Sequence, residues 1–193
     1  MVFRSRAAIF LLLCVLCCAP AAAADDLALW QGPARQTLLD YIQAVTTPGG
    51  PDFIPPEERK AAFDLDGTLI VERPAFLALE LTVERLERAC PKGGGPAPQG
   101  LAPLCQAYRA QGRKALMGPQ IEAALTKPFE GMGFDEYEAM SRRLMDAGVN
   151  PRNGLPNRLL VYPPMIELID LLHQKGFAVY ICSGAPNFFV RAI

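Results

Sequence analysis

The sequence predicts an α/β fold in which a parallel sheet is interrupted by a long helical insertion. Two short apolar runs, residues 61–65 and 177–182, each end in acidic or small polar residues. This pattern is typical of parallel strands that carry a site at their carboxyl ends. An amphipathic segment directly before the second run has the spacing of a connecting helix. Roughly ninety residues separate the first apolar run from this amphipathic segment, whereas a median loop has about 4–6. A separation of this length predicts a helical unit inserted into the sheet.

The first 24 residues have the composition of a secretory leader. Arg4 and Arg6 precede an apolar run over residues 7–18, and small residues follow up to Ala24. A basic start, a short apolar stretch and an A-x-A ending are typical of a signal peptide cleaved after Ala24. An uncleaved anchor is the alternative, although the run is short for a membrane span. We therefore expect a periplasmic or secreted protein without stable membrane association after cleavage.

The charge of the chain bears on which partners it can bind, and its cysteines bear on the compartment in which it folds. The 193-residue chain has a net charge of −1, which becomes −3 once Arg4 and Arg6 leave with the leader. No basic patch indicates nucleic-acid binding. Cys90 and Cys105 flank a Gly/Pro-rich loop, so in an oxidising compartment they could form a disulfide, and two free thiols are the alternative. Cys182 lies in the second apolar run, where we expect a small core residue.

Periodicity predicts the elements in chain order. Residues 33–45 form a first helix, because apolar residues recur at three- and four-residue spacing. A Pro/Gly-rich loop then leads to the strand at 61–65. In the insertion, Asp135 and Glu138 suggest a capping box. The helices predicted there cover 76–89, 104–117, 119–125 and 135–147. After the insertion, Pro163 opens a helix that ends at Gly176. The strand 177–182 is expected to be buried on both faces, and a last helix begins near Asn187.

The residues that could take part in a reaction lie at the carboxyl ends of the two predicted strands. Asp64 and Asp66 are two carboxylates one residue apart, and their repulsion costs free energy unless a cation or a shared proton offsets it. One carboxylate can attack phosphorus and a second can transfer protons, while Mg²⁺ prefers oxygen ligands. Gly67 permits a tight turn after the pair. Ser183 and the N–H of Gly184 precede a predicted helix, which is a favourable place for a phosphate oxygen.

These residues resemble two motifs of the haloacid dehalogenase (HAD) superfamily. FDLDGTL resembles its first motif, and VYICSGAP resembles its second. The resemblance covers the chain after the leader and is similar in detail to secreted bacterial hydrolases of the phosphoserine-phosphatase-like type. It implies part of a HAD-like Rossmannoid parallel sheet with an inserted helical cap of the C1 type. The implied divisions are a helix and first strand with the D-x-D-G-T loop at 25–70, the cap at 71–158, and a core helix, second strand and next helix start at 159–193.

The resemblance also implies roles for individual residues. Asp64 would be the nucleophile that forms an aspartyl-phosphate, and Asp66 the general acid and base. The Asp64 carboxylate and the Asp66 carbonyl would bind Mg²⁺, while Ser183 and Gly184 would hold the phosphoryl group of a small phosphorylated metabolite. Glu72 is either a cap-side substrate contact or a solvated loop carboxylate.

The sequence departs from the family's pattern in one respect. A third motif with Lys or Arg and a fourth with acidic residues normally follow the second, whereas ten residues follow Ser183 here. The sequence therefore favours a phosphatase truncated after its second motif, with a catalytically inactive phosphate-binding or interaction module as the alternative. We expect little turnover from this chain alone and low stability, because an apolar strand edge is left unpaired.

Overall fold

The computed structural model describes residues 26–74, 76–92 and 95–193, and it confirms a mixed α/β fold with a small parallel sheet. Strand β1 (Lys60–Phe63) pairs with β2 (Ala178–Ile181). Lys60 lies opposite Ala178 and Phe63 opposite Ile181, so both strands end level at one edge. The predicted leader lies outside the described residues.

Six of the α-helices in the described residues lie between the two strands along the chain. The helices of the described residues are α1 (Pro33–Thr46), α2 (Leu77–Ala89), α3 (Ala102–Gln111), α4 (Arg113–Leu116), α5 (Ile121–Thr126), α6 (Phe134–Ala147), α7 (Pro163–Gln174) and α8 (Asn187–Ala192). Short 3₁₀ turns occur at Pro56–Glu58, Lys127–Phe129 and Asn157–Leu159. Within the ranges described, none of the helices has both the length and the apolar content that a membrane span needs.

Helices α1 and α7 form one hydrophobic cluster against the sheet. Ile42 and Val45 of α1 are buried with Leu168 and Leu172 of α7, and Val179 of β2 packs against them. Arg59 lies buried just before β1, with 7 % of its surface exposed. Its guanidinium donates to the carbonyl oxygens of Ile54 (2.8 Å) and Lys175 (2.7 Å). Hydrogen bonds of this kind compensate the burial of the charge and connect the start of β1 to the end of α7.

Two further clusters join the inserted helices to the end of the sheet. The turn after β1 packs with α2, α6 and α8 through Leu65, Ile70, Leu81, Met140 and Phe189. Helices α2 to α5 share a second cluster, and the buried Thr82 hydroxyl of α2 donates to the Ala124 carbonyl of α5 at 2.7 Å. The inserted helices are therefore fixed relative to the turn that carries the two aspartates.

Three predicted elements differ in their bounds or ends. The helix predicted over 104–117 is two helices, because Gly112 between them adopts a φ of 61°. The predicted capping box at α6 is wrong: Gly133 precedes the helix without a side-chain cap, and Glu138 instead accepts from Arg142 at 2.7 Å. The first strand ends at Phe63 rather than at residue 65, because the chain bends at Leu65 into the turn that follows.

The prediction that β2 is buried on both faces is also wrong. Tyr180 is 53 % exposed and Ile181 is 44 % exposed. Among the described residues β2 pairs only with β1, so its other edge and one face have no neighbour to cover them. Cys182, predicted as a core residue, is exposed for the same reason, although its N–H donates to the Phe63 carbonyl at 2.8 Å.

Cys90 and Cys105 form a disulfide, which decides between the two alternatives that the sequence left open. Cys90 follows the last residue of α2 and Cys105 lies in the first turn of α3, so the bond joins these helices across the Gly/Pro-rich loop. Both cysteines are buried.

Removing this disulfide is expected to destabilise the chain by about 3 kcal/mol, the value for closing a loop of roughly 15 residues in the unfolded state. Denaturant unfolding of the Cys90→Ser/Cys105→Ser variant measures the loss. The matched control is Cys182→Ser, which removes an exposed thiol and should leave the unfolding free energy within about 0.5 kcal/mol of the wild type. Equal stability of the double variant and the wild type would contradict the prediction.

Candidate active site

The turn after β1 places Asp64 and Asp66 on a tight loop. The Leu65 carbonyl accepts from the N–H groups of Leu69 (2.8 Å) and Ile70 (3.0 Å), and Gly67 donates back to the Ile70 carbonyl at 2.8 Å. Gly67 has a φ of 78°, a left-handed conformation that glycine adopts without strain. Leu65 is buried in the core, whereas Asp64 and Asp66 on either side of it line a cavity.

All four residues predicted for the site line one cavity. Asp64, Asp66, Ser183 and Gly184 lie together around a volume of about 770 Å³. The parallel register explains this, because Phe63 and Ile181 are opposite each other and the chain leaves both strands at the same edge. Asp64 is exposed in the cavity mouth, whereas Asp66 is half-buried.

The environment of Asp66 favours its protonated form. Burial raises the pKa of the Asp66 carboxyl above its usual range, and the nearby negative charges of Asp64 and Glu72 raise it further. Its Oδ1 atom is buried without a hydrogen-bond partner among the described residues. A carboxyl group in such a place holds a proton at higher pH than usual and gains from any cation that reaches it.

Ser183 lies on the short segment between β2 and α8. Its Oγ accepts a hydrogen bond from the N–H of Ala185 at 3.0 Å, which orients the side chain. The hydroxyl proton remains available for an anionic oxygen in the cavity. Gly184 is exposed beside it, where no side chain obstructs its backbone.

Glu72 also lines the cavity, so the structure places it at the site rather than on a remote loop. Its carboxylate approaches Gly67 so closely that a Cβ atom there would lie 3.1 Å from the Glu72 Oε2. Glu72 also lies 3.7 Å from the Nε of Arg73, a pair with an exposed guanidinium. Whether Glu72 contacts a substrate stays a prediction.

The sequence did not predict the wall of the cavity opposite the aspartates. It comprises side chains from α5 and from the segments before α2 and α5, namely Phe76, Met117, Ile121, Glu122, Leu125 and Thr126. The available signal was the four-residue spacing of Ile121 with Leu125 and of Glu122 with Thr126, which places each pair on one face of a helix. That spacing does not by itself reveal which face meets the cavity.

The pair of aspartates fits a hard divalent cation in its chemistry. Both supply oxygen ligands, which Mg²⁺ prefers. The buried Oδ1 of Asp66 has no hydrogen-bond partner among the described residues, so a cation bound there would offset the cost of burying it. The backbone hydrogen bonds of the turn are directed to the carbonyls of Leu65 and Ile70, and no backbone N–H among the described residues donates to the Asp66 carbonyl. Within the described part of the chain, no group of three or more His, Cys, Asp or Glu side chains is assembled around a metal position.

Three side chains that could carry positive charge, His173, Lys114 and Lys127, are absent from the described lining of the cavity. His173 is an exposed residue near the end of α7. Lys127 pairs with Glu130 at 2.7 Å, and Lys114 is exposed on α4. The lining of the cavity, as far as the structure describes it, contains no Lys, Arg or His.

Comparison with known proteins agrees with the geometry of the site. Residues 61–193 match the family model of the haloacid dehalogenase-like hydrolases, a range that includes both candidate motifs, β2 and all of β1 except its first residue. Two curated relatives, each named phosphoglycolate phosphatase, come from Vibrio vulnificus strains YJ016 and CMCP6. Each is 31 % identical over 134 residues, which cover 69 % of this chain and 54 % of the relative. The chain thus spans about half the length of these relatives. On the family match, it belongs to the haloacid dehalogenase-like hydrolases.

Proposed function

We propose that the cavity at the end of the sheet is the site of Mg²⁺-dependent hydrolysis of small phosphomonoesters through an aspartyl-phosphate on Asp64. The single observation that carries this proposal is that Asp64, Asp66, Ser183 and Gly184 line one cavity. The family match and the phosphatase names of the relatives support it.

The first step is attack of an Asp64 carboxylate oxygen on phosphorus. A new oxygen–phosphorus bond forms while the bond from phosphorus to the leaving oxygen breaks, and the protonated Asp66 carboxyl donates its proton to that oxygen. The raised pKa of Asp66 favours this protonated starting state. The Ser183 hydroxyl donates a hydrogen bond to a phosphoryl oxygen, and the N–H of Gly184 can donate another.

The second step releases phosphate. Asp66, now ionised, accepts a proton from a water molecule that attacks the phosphorus atom, and the bond between phosphorus and Asp64 breaks. The two steps together convert one phosphomonoester and one water molecule into one alcohol and one phosphate. Bound at the Asp64 carboxylate and the Asp66 carbonyl, Mg²⁺ would neutralise charge on the phosphoryl oxygens. Such a cation is needed because every charged side chain of the described lining is negative and would repel a phosphate.

We extend the proposal to the organisation and location of the chain. Residues 71–158 act as the cap, since α5 supplies the wall opposite the aspartates. Export through the leader at 1–24 is supported by the disulfide, because such bonds persist mainly in oxidising compartments. A secreted enzyme of the phosphoserine-phosphatase-like type would have both features.

Phosphate release from p-nitrophenyl phosphate tests the function. We expect release above the protein-free background with Mg²⁺ and none with excess chelator. The rate should be low, since no Lys or Arg of the described cavity lining steadies the phosphoryl group. Phosphate binding by calorimetry without any Mg²⁺-dependent release would instead support the alternative, a phosphate-binding module.

A further inference from the structure

The cavity has two chemically different ends. Asp64, Asp66 and Ser183 lie at the end of the sheet, whereas Phe76, Met117, Ile121 and Leu125 line the region contributed by the inserted helices. If phosphoryl transfer takes place at the aspartates, the group attached to the leaving oxygen must extend toward this apolar region.

The apolar wall is held in place by the core of the inserted helices. Ile121 and Leu125 are one helical turn apart and both line the cavity, while Ala124 of the same helix is fully buried. The Ala124 carbonyl accepts from the Thr82 hydroxyl at 2.7 Å, and the Pro128 carbonyl just beyond α5 accepts from Arg85 at 3.2 Å. Helix α5 is thereby anchored to α2, so the wall is part of the folded state rather than a loose loop.

The charged side chains of the described lining are all negative. Asp64 and Asp66 are assigned to phosphoryl transfer and cation binding, but Glu72 and Glu122 add two further carboxylates around the space for the leaving group. The described lining offers no Lys, Arg or His to pair with an anionic leaving group. A carboxylate placed there would lose hydration and meet like charges, which costs several kcal/mol at protein interfaces.

We infer that the site selects phosphomonoesters whose leaving group is apolar and uncharged, such as aryl or short alkyl phosphates, and discriminates against leaving groups that bear a carboxylate. This inference rests on the proposed function. It adds a specificity that Ile121, Leu125 and Glu122 provide: the first two by apolar contact and the third by repulsion of anions.

Two non-hydrolysable ligands of matched shape test the inference by calorimetry on the whole chain with Mg²⁺. They are benzylphosphonate and 4-(phosphonomethyl)benzoate, which differ by one carboxylate, and inorganic phosphate serves as the reference. We expect benzylphosphonate to bind at least about tenfold more tightly than the carboxylate analogue, on the scale of like-charge repulsion.

Substitutions assign the selectivity to residues. Leu125→Ala should weaken benzylphosphonate binding roughly tenfold, because a few buried methyl and methylene groups are lost from the contact. Its matched control is Leu159→Ala, which removes an exposed leucine outside the cavity. Glu122→Gln should improve binding of the carboxylate analogue at least about threefold. Its control is Glu136→Gln on the exposed side of α6. Circular dichroism verifies the fold of each variant.

The outcomes separate this inference from the function beneath it. If phosphate and both phosphonates bind with similar affinity, or if Leu125→Ala and Glu122→Gln change nothing, the selectivity is refuted while the phosphate site stands. If neither phosphate nor either phosphonate binds, the proposed function fails and the inference falls with it. Tight binding of benzylphosphonate that Leu125→Ala weakens, together with discrimination against the carboxylate analogue that Glu122→Gln reduces, supports both.

Discussion

Replacement of Asp64 by Asn is expected to abolish formation of a covalent phosphoryl-enzyme. Asp64 is exposed in the mouth of the cavity, so its carboxylate can reach a substrate phosphorus atom. The amide of Asn has nearly the same shape but no anionic oxygen, and removal of a nucleophile costs on the order of 10³-fold or more in rate. The change tests the chemistry without altering the size of the side chain.

The measurement is the intact mass of acid-quenched protein after incubation with acetyl phosphate and Mg²⁺. Wild-type chain should gain the mass of one phosphoryl group, and peptide mapping should locate it on Asp64. A covalent adduct is detectable after a single transfer, so the measurement does not require rapid turnover. Asp64→Ala should behave like Asp64→Asn, which excludes slow deamidation of the Asn as a source of label.

Asp146→Asn is the matched control for this experiment. It removes an exposed carboxylate from α6 that does not line the cavity. We expect it to be labelled like the wild type. A phosphoryl group that maps to another residue, or labelling that persists in Asp64→Ala, would contradict the assignment of the nucleophile.

Much of the placement of the site could be predicted from sequence because parallel strands impose it. The apolar runs before Asp64 and before Ser183 predict two strands whose carboxyl ends meet at one edge. The structure brings these residues to one cavity, with Gly67 at the turn as expected. Periodicity likewise predicted α1, α2, α6 and α7 to within about two residues at their ends, because their apolar faces pack on a core.

The features that sequence did not predict depend on tertiary contacts. A continuous apolar run such as 177–182 has the pattern of a strand buried on both faces, but burial depends on neighbours that the run itself does not specify. Tyr180 and Ile181 are exposed for lack of such neighbours in the described chain. The apolar wall was missed for a related reason, since the packing of α5 on α2 decides which of its faces meets the cavity.

Asp66→Asn is expected to reduce phosphoryl transfer by about 10²–10⁴-fold, the contribution of a positioned acid–base group. The same change should affect stability in the opposite direction. Because the pKa of Asp66 is raised in the folded state, the folded chain binds more protons than the unfolded chain between the two pKa values. The contribution of Asp66 to the free energy of unfolding is therefore lost as pH rises through the raised pKa. That contribution is fully present below about pH 4, the usual Asp range.

It follows that Asp66→Asn, which removes the charge and keeps the shape, should be more stable than the wild type at pH 7 when divalent cations are absent. The difference should shrink as pH falls toward about 4, where Asp66 is protonated in both states. Thermal melts across this pH range measure it, with Asp146→Asn as the control that shows no such trend. Mg²⁺ should raise the wild-type melting temperature more than that of Asp66→Asn, because the cation offsets the repulsion among Asp64, Asp66 and Glu72. Equal melting temperatures for the wild type and Asp66→Asn at every pH would mean that the ionised Asp66 carries no penalty, and the argument for a cation at this pair would lose its main support.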